Sequence, residues 1–302
     1  MDYKKERIEK LTGVLLIVAA TVLWGSSFAV RKMAMADIGP LMFNTVRFLA
    51  AFIFMLTIFL IHRKHEAREY EDDTSVDIKS QIKKGIIIGM LYAEGSVFQQ
   101  MGLNLVTAGE TGFITSLYTV MVPLLARFIF KTKLQPVIWF AVAFSGVGLY
   151  FVTDGGVSVN GGTFLLMAGS FCFALQIIAI SKFIQGNDPL LLVTVQLGIG
   201  VAVNLVMAVI AGEPFELNMI SKVIIPILYT GVMSLGVANF CQFAGQRKVT
   251  PTVAAIVCSF ESVFGLLFGI LLLNETMTIM KLAGCVFILI AVIMSQIKGK
   301  EK

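Results

Sequence analysis

Three ionisable residues, Arg47, Glu94 and Glu261, stand in stretches of sequence that are otherwise apolar. An ionisable side chain at the centre of a bilayer-crossing segment costs roughly 2.5 to 3.5 kcal/mol on insertion scales, so each needs a partner, water or a function. A guanidinium can receive a carboxylate or phosphate through two parallel N–H bonds, and a carboxylate in such a place can exchange a proton. Around them stand groups suited to holding a small molecule. Asn44 precedes Arg47 by three residues and so shares its helix face, and Trp24, Tyr92, Tyr118 and Tyr229 offer aromatic surfaces.

Each of these residues has a plainer alternative. Arg47 lies seven residues past Pro40, about 10 Å along a helix. It either receives an anionic group, pairs with Glu94 or Glu261, or snorkels to the headgroups. Glu94 falls mid-stretch, out of snorkelling reach, and serves either proton exchange or a structural bond to a neighbouring helix. Glu261 lines up with Gly265 and Gly269 in a small-residue stripe, a geometry that suits a substrate or proton site and a helix–helix hydrogen bond equally. Trp24 adjoins Gly25-Ser26-Ser27, read as a break in its helix, while aromatic residues in such stretches otherwise pack or anchor at the interface. Gln176, Gln196, Asn204, Asn239 and Gln242 read as interhelical glue.

The residues of soluble catalysis are missing. No GxGxxG loop, GxxxxGK[ST] motif or triad spacing occurs, which leaves ATP-driven transport and enzymatic chemistry unsupported. His62 and His65 are the only histidines, without further ligands or an orienting partner. Cys172, Cys241, Cys258 and Cys285 fall inside apolar stretches at spacings that make no metal motif, and read as buried thiols. No catalytic residue, metal or cofactor is therefore expected. A membrane-embedded enzyme would need His, Asp or Ser clustered at one depth, and no apolar stretch holds a histidine.

Composition decides the medium. Hydrophobic residues make up 57% of the 302 and charged residues 14%, with a mean hydropathy of +0.86, which excludes a soluble protein. Ten runs long enough to cross a hydrocarbon core of roughly 30 Å lie near 11–31, 40–61, 84–105, 109–130, 135–153, 162–182, 190–211, 222–243, 250–273 and 278–297. Of the 24 Lys and Arg residues, 19 fall on the side of the N-terminus, four (Arg31, Lys32, Lys222, Lys281) on the other, and Arg47 lies within a span. Basic residues favour the cytoplasm, so both termini are expected there, in the cytoplasmic membrane if the cell is bacterial. The same asymmetry accounts for a pI near 9.0 without a nucleic-acid partner.

The chain also repeats itself. A shift of 149 places Gly13, Leu16, Ala19, Pro40, Leu41, Thr45 and Val46 on Gly162, Leu165, Ala168, Pro189, Leu190, Thr194 and Val195. After a slip of six, Val106, Thr107, Ser116, Val120 and Phe144 fall on Val249, Thr250, Ser259, Val263 and Phe287. Because Gly13 has its copy in mid-chain, the first run is not expected to be a cleaved signal peptide despite Ala34-Met-Ala36. Two units follow, 11–153 and 162–297, and five spans per unit make the second enter from the opposite face. The expected fold is all-α integral membrane, with ten transmembrane helices as two inverted five-helix repeats and a site near the midplane between them. Tyr118 and Glu261 correspond in the repeat, so both are expected in that site. The slip falls at 62–83, a charged segment expected to be a solvated cytoplasmic loop with some helix.

The first half carries Trp24-Gly-Ser-Ser-Phe28, Phe98-Gln-Gln-Met-Gly-Leu-Asn-Leu-Val-Thr-Ala108, Gly112-Phe-Ile-Thr-Ser-Leu-Tyr118 and Val122-Pro123. The second carries Val249-Thr-Pro-Thr-Val-Ala-Ala255, Ser259-Phe-Glu-Ser262 and Leu273-Asn-Glu-Thr276. In order and spacing the chain resembles the EamA-type transporters of the drug/metabolite transporter superfamily over nearly its whole length. It departs from the pattern at Ser262, where Pro commonly follows Glu, and at Asn274, where Gly usually precedes Glu. The resemblance implies a ten-helix secondary carrier, commonly an exporter of amino acids, metabolites or drugs, whose partners are a small-molecule solute and membrane lipids. It names neither solute nor oligomeric state. Alternating access with proton coupling is the leading expectation, an uncoupled facilitator the alternative within transport, and a membrane-embedded enzyme the alternative from another class.

Overall fold

The computed structural model describes residues 2–69, 77–130, 136–152, 159–276 and 278–294. Every regular element among them is helical: α1 (Asp2–Ala34), α2 (Pro40–Glu69), α3 (Ile78–Leu105), α4 (Ala108–Thr115), α5 (Tyr118–Phe130), α6 (Pro136–Val152), α7 (Gly161–Phe183), α8 (Pro189–Ile210), α9 (Leu217–Lys222), α10 (Ile224–Leu228), a π-helical segment (Tyr229–Val237), α11 (Ala238–Gln246), α12 (Pro251–Leu273) and α13 (Ile279–Met294). Seven stretches are long and apolar enough to cross a bilayer: Arg7–Ala34, Pro40–His65, Ala108–Ile129, Gly161–Phe183, Pro189–Ile210, Ile224–Gln246 and Pro251–Leu273. Helix α3 is long but more polar, carrying Glu94, Gln99, Gln100 and Asn104, while α6 and α13 span 17 and 16 residues. Large apolar side chains such as Phe128, Val209, Ile225 and Ile279 point outward, an arrangement suited to lipid rather than water.

The helices begin where the sequence supplies caps. Proline opens α2, α6, α8 and α12, a position where its missing N–H costs nothing. Thr107 and Glu110 form a capping box on α4, and Asn160, Asp188 and Thr250 cap α7, α8 and α12. Two further carboxylates cap from a distance. Glu213 accepts from Leu41 N at 3.2 Å and Met42 N at 2.6 Å, at the start of α2. Glu275 accepts from Ala108 N at 2.7 Å and Gly109 N at 3.0 Å, at the start of α4. Each follows a left-handed residue that turns the chain, Gly212 (φ 69°) or Asn274 (φ 52°), which accounts for Asn at a position where Gly is usual. Lys32 Nζ donates to Val106 O and Leu103 O, tying α1 to the last turn of α3.

Three sequence expectations change. Helix α1 has no break at Gly25-Ser26-Ser27: both hydroxyls bond back within the helix, to Leu23 O at 3.1 Å and Trp24 O at 2.7 Å. Gly25 serves instead for close approach, since a Cβ there would lie 2.7 Å from the Glu261 carbonyl oxygen of α12. The same helix runs on to Ala34, so Arg31 is a buried helical residue and not part of an outer loop. The run 109–130 is divided, with a tight turn at Ser116–Leu117 before Tyr118, whereas α12 passes unbroken through Ser262. The charged segment 62–83 is helical in part, α2 extending to Glu69 and α3 starting at Ile78; its residues 70–76, like 131–135, 153, 277 and 295–297 of the expected repeats, lie outside the described residues.

The core sits between the halves of the sequence. The most extensive contacts pair α1 with α12, α3 with α7 and α8, α2 with α8, and α6 with α13. Within the π-helical segment, Gly231 lies against α2, where a Cβ would stand 2.7 Å from the Arg47 carbonyl oxygen. Such i→i+5 turns inside α-helices are frequent at functional sites.

Candidate functional site

Trp24, Arg47, Tyr92, Tyr118 and Glu261 line one cavity of about 530 Å³ of atom-free space, its mouth included. Helix α1 supplies Trp24, Ser27, Phe28 and Arg31, one helical stripe at i, i+3, i+4 and i+7. Arg47 comes from α2, and Tyr92, Ser96 and Gln99 form a similar stripe on α3. The second half brings Phe173, Gln176 and Ile177 from α7, Ser234 and Leu235 from the π-helical segment, Gln242 from α11, and Cys258 and Glu261 from α12. Three pairs of these lining residues are 149 apart (Trp24 and Phe173, Ser27 and Gln176, Phe28 and Ile177), and three are 143 apart (Tyr92 and Leu235, Gln99 and Gln242, Tyr118 and Glu261). These are the two shifts that relate the sequence halves.

Hydrogen bonds fix most of the wall. Tyr118 OH donates to Glu261 Oε1 at 3.2 Å. Trp24 Nε1 donates to Ser234 O at 2.9 Å, so the indole is held by the π-helical segment. Gln176 donates to Gln196 at 3.1 Å, Gln196 to Asn239 at 3.1 Å, and Asn239 to Tyr92 OH at 2.9 Å, a chain that links α7, α8, α11 and α3. Phe48, Tyr92 and Phe173 stack at an angle, with ring centroids 5.9 and 5.8 Å apart.

Arg47 is fully buried, which rules out snorkelling. Its Nε donates to Asn44 Oδ1 at 2.6 Å, and Asn44 Nδ2 in turn donates to Ser96 Oγ at 3.0 Å and Asn204 Oδ1 at 2.5 Å. Asn44 thus stands behind the wall. Tyr229 does too, its hydroxyl sharing a hydrogen bond of 2.6 Å with Ser26 Oγ. Among the described residues, neither Arg47 nor Glu261 makes an ion pair within 4.0 Å. Arg47 therefore pairs with neither acid named for it in the sequence.

Glu94 is not part of this site. It is exposed on the outside of α3, two residues from Tyr92 and hence about 200° around the helix from the cavity stripe. In its place the structure contributes Arg31, 2% exposed, with Nη1 donating to Gln99 Oε1 at 3.0 Å and its guanidinium 5.1 Å from the Phe28 ring centre. The signal for Arg31 was its spacing of seven from Trp24 on a continuous α1. Among the described residues no three His, Cys, Asp or Glu side chains gather as a metal would require.

Comparison with known proteins agrees with this architecture. The profile of the EamA-like transporter family matches twice, at residues 11–154 and 160–296. An uncharacterized transporter of Archaeoglobus fulgidus is 29% identical over 293 residues, covering 97% of this chain and 88% of that protein. One from Methanothermobacter thermautotrophicus is 24% identical over 314 residues, with the same coverage of 97% and 88%. A solved crystal structure with 16% sequence identity superposes with a TM-score of 0.66, over 96% of this chain and 99% of that one. With the family profile spanning both halves of a helical, apolar chain whose halves share a cavity, this protein is an integral membrane member of the EamA-like transporter family.

Proposed function

We propose that the protein is a secondary carrier that exports a small metabolite, amino acid or drug-like solute by alternating access. Ten helices cross the membrane as two inverted five-helix repeats, 11–153 and 162–297, and both termini face the cytoplasm. The main support is the cavity wall, whose six shift-related pairs draw on both halves around one centre, as a site reached alternately from two faces requires. Trp24, Arg47, Tyr92 and Tyr118 hold the solute, with Asn44 and Tyr229 positioning from behind. Glu261 exchanges a proton and is steadied by Tyr118 between turnovers. With Arg31 moved to the interior, basic residues divide 19 against three across the membrane, which supports the orientation.

Purified protein in proteoliposomes, given labelled amino acids, organic acids and dyes, tests the carrier. Saturable counterflow that collapses in Trp24→Ala and is stimulated by a pH gradient is the expected result. Counterflow indifferent to the gradient would assign an uncoupled facilitator, with the Tyr118–Glu261 bond purely structural. Movement of no solute would refute a carrier. For the orientation, cysteine reporters at Arg63 and Glu216 should label from the cytoplasmic and external faces respectively, and the reverse pattern would invert the topology.

A further inference from the structure

We propose that the cavity takes a small monocarboxylate whose acid group is received on one edge of Arg31, an inference that rests on the carrier reading and names its solute class. Nη1 of Arg31 is engaged by Gln99. The other two nitrogens, Nε and Nη2, are buried and make no hydrogen bond. Those two N–H groups point along a single edge of the planar guanidinium, the edge that meets a carboxylate through two parallel bonds. A folded interior leaves few such donors unpaired, because each forfeits its hydration for nothing. Two on one guanidinium at a cavity wall point to an oxyanion. The edge is also held in place: Gln99 Nε2 donates to Thr115 Oγ1 at 3.3 Å while its oxygen holds Arg31.

Charge narrows the class. The wall carries Arg31, Arg47 and Glu261, and among the described residues none of the three is in an ion pair within 4.0 Å. In the state in which Glu261 has released its proton, one positive charge is in excess in a medium where unbalanced charge is costly. A monoanion balances it. A zwitterion leaves the excess in place, and a phosphate monoester dianion reverses it. The rest of the wall, with Trp24, Phe28, Tyr92 and Phe173, suits an apolar or aromatic body attached to the acid.

The test uses the full chain and matched probes: 3-phenylpropionate with 3-phenylpropanamide, and hexanoate with hexanamide. Thermal unfolding in detergent reads binding, and proteoliposome uptake reads movement. At least one acid should bind about tenfold or more tightly than its amide, the difference expected of a bidentate charge-assisted contact. Arg31→Lys keeps the charge but loses the edge, so the acid's advantage should fall to about threefold or less with the amide unaffected. Equal binding of acid and amide by the wild type overturns the receptor, as does binding of neither acid, a preference for phenylalanine over 3-phenylpropionate, or an acid preference preserved in Arg31→Lys. Because the wild-type comparison needs no variant, a misfolded Arg31→Lys leaves it decisive. Acids and amides moving alike would remove the receptor and leave the carrier standing. Acids bound but never moved would support the receptor and remove the carrier.

Discussion

Arg47 holds two things at once, a cavity-facing charge and the Asn44 side chain that bridges α2 to α3 and α8. Arg47→Lys keeps the first and loses the Nε donor of the second, so thermal unfolding should report a loss of about 1–3 kcal/mol. Unchanged stability would mean that the Asn44 bond contributes little. Glu261→Gln is expected to behave the other way. The amide oxygen still accepts from Tyr118, so stability should change by less than about 1 kcal/mol, while the pH dependence of transport disappears. A pH–rate profile identical to wild type would return Glu261 to a structural part. The Tyr118–Glu261 pair was legible in the sequence because the repeat shift joins the two positions. Glu94 misled because depth along a segment says nothing about direction around it: the stripe Tyr92, Ser96 and Gln99 has a fixed phase, and Glu94 is out of it. Arg31 was hidden by its closeness to Asp37-Ile-Gly-Pro40, where a basic residue reads as part of a loop.

At the level of elements, helix limits could be read closely where a capping residue or proline stands, as at Pro40, Pro189 and Pro251, because such residues act within a few positions, and not where a charged stretch prolongs the helix, as at the end of α2 and the start of α3. What brings one helix end to another could not be read. Glu275 caps α4 from a segment 167 residues away in sequence, and Glu213 caps α2 from 172 away. Their effect depends on where the chain folds them, near the partial positive charge of a helix start. Glu275→Ala removes both acceptors from the first turn of α4, and chemical denaturation should show a loss of about 1–2 kcal/mol. Glu275→Gln, which keeps an oxygen, should lose less than half of that, and equal losses in the two variants would mean that the acceptors do not matter. The π-helical segment was equally hidden: nothing in Tyr-Thr-Gly-Val-Met-Ser-Leu-Gly-Val departs from an ordinary apolar helix, and its extra residue per turn emerges only from packing on α2 and Trp24.

For the whole molecule, the repeated units of the sequence are not units of packing. The most extensive contact of α1 is with α12, that of α3 with α7 and α8, and that of α2 with α8, all across the division between halves. A chain ending at residue 152 should therefore be degraded in cells when made alone and accumulate when the segment from 159 onward is expressed beside it, as read by immunoblot of membranes. Stable accumulation of the first fragment alone would mean that it buries its polar face by itself. The interlocking also has a consequence in time. Synthesis at about 5–20 residues per second puts roughly 10 to 40 s between the emergence of Arg47 and that of Glu261. Over that interval Arg31 and Arg47 wait in the bilayer while α7, α8 and α11 arrive one after another and α12 last, so the newborn half meets its most costly exposure before its partners are complete, and a ribosome that pauses in the second half prolongs it.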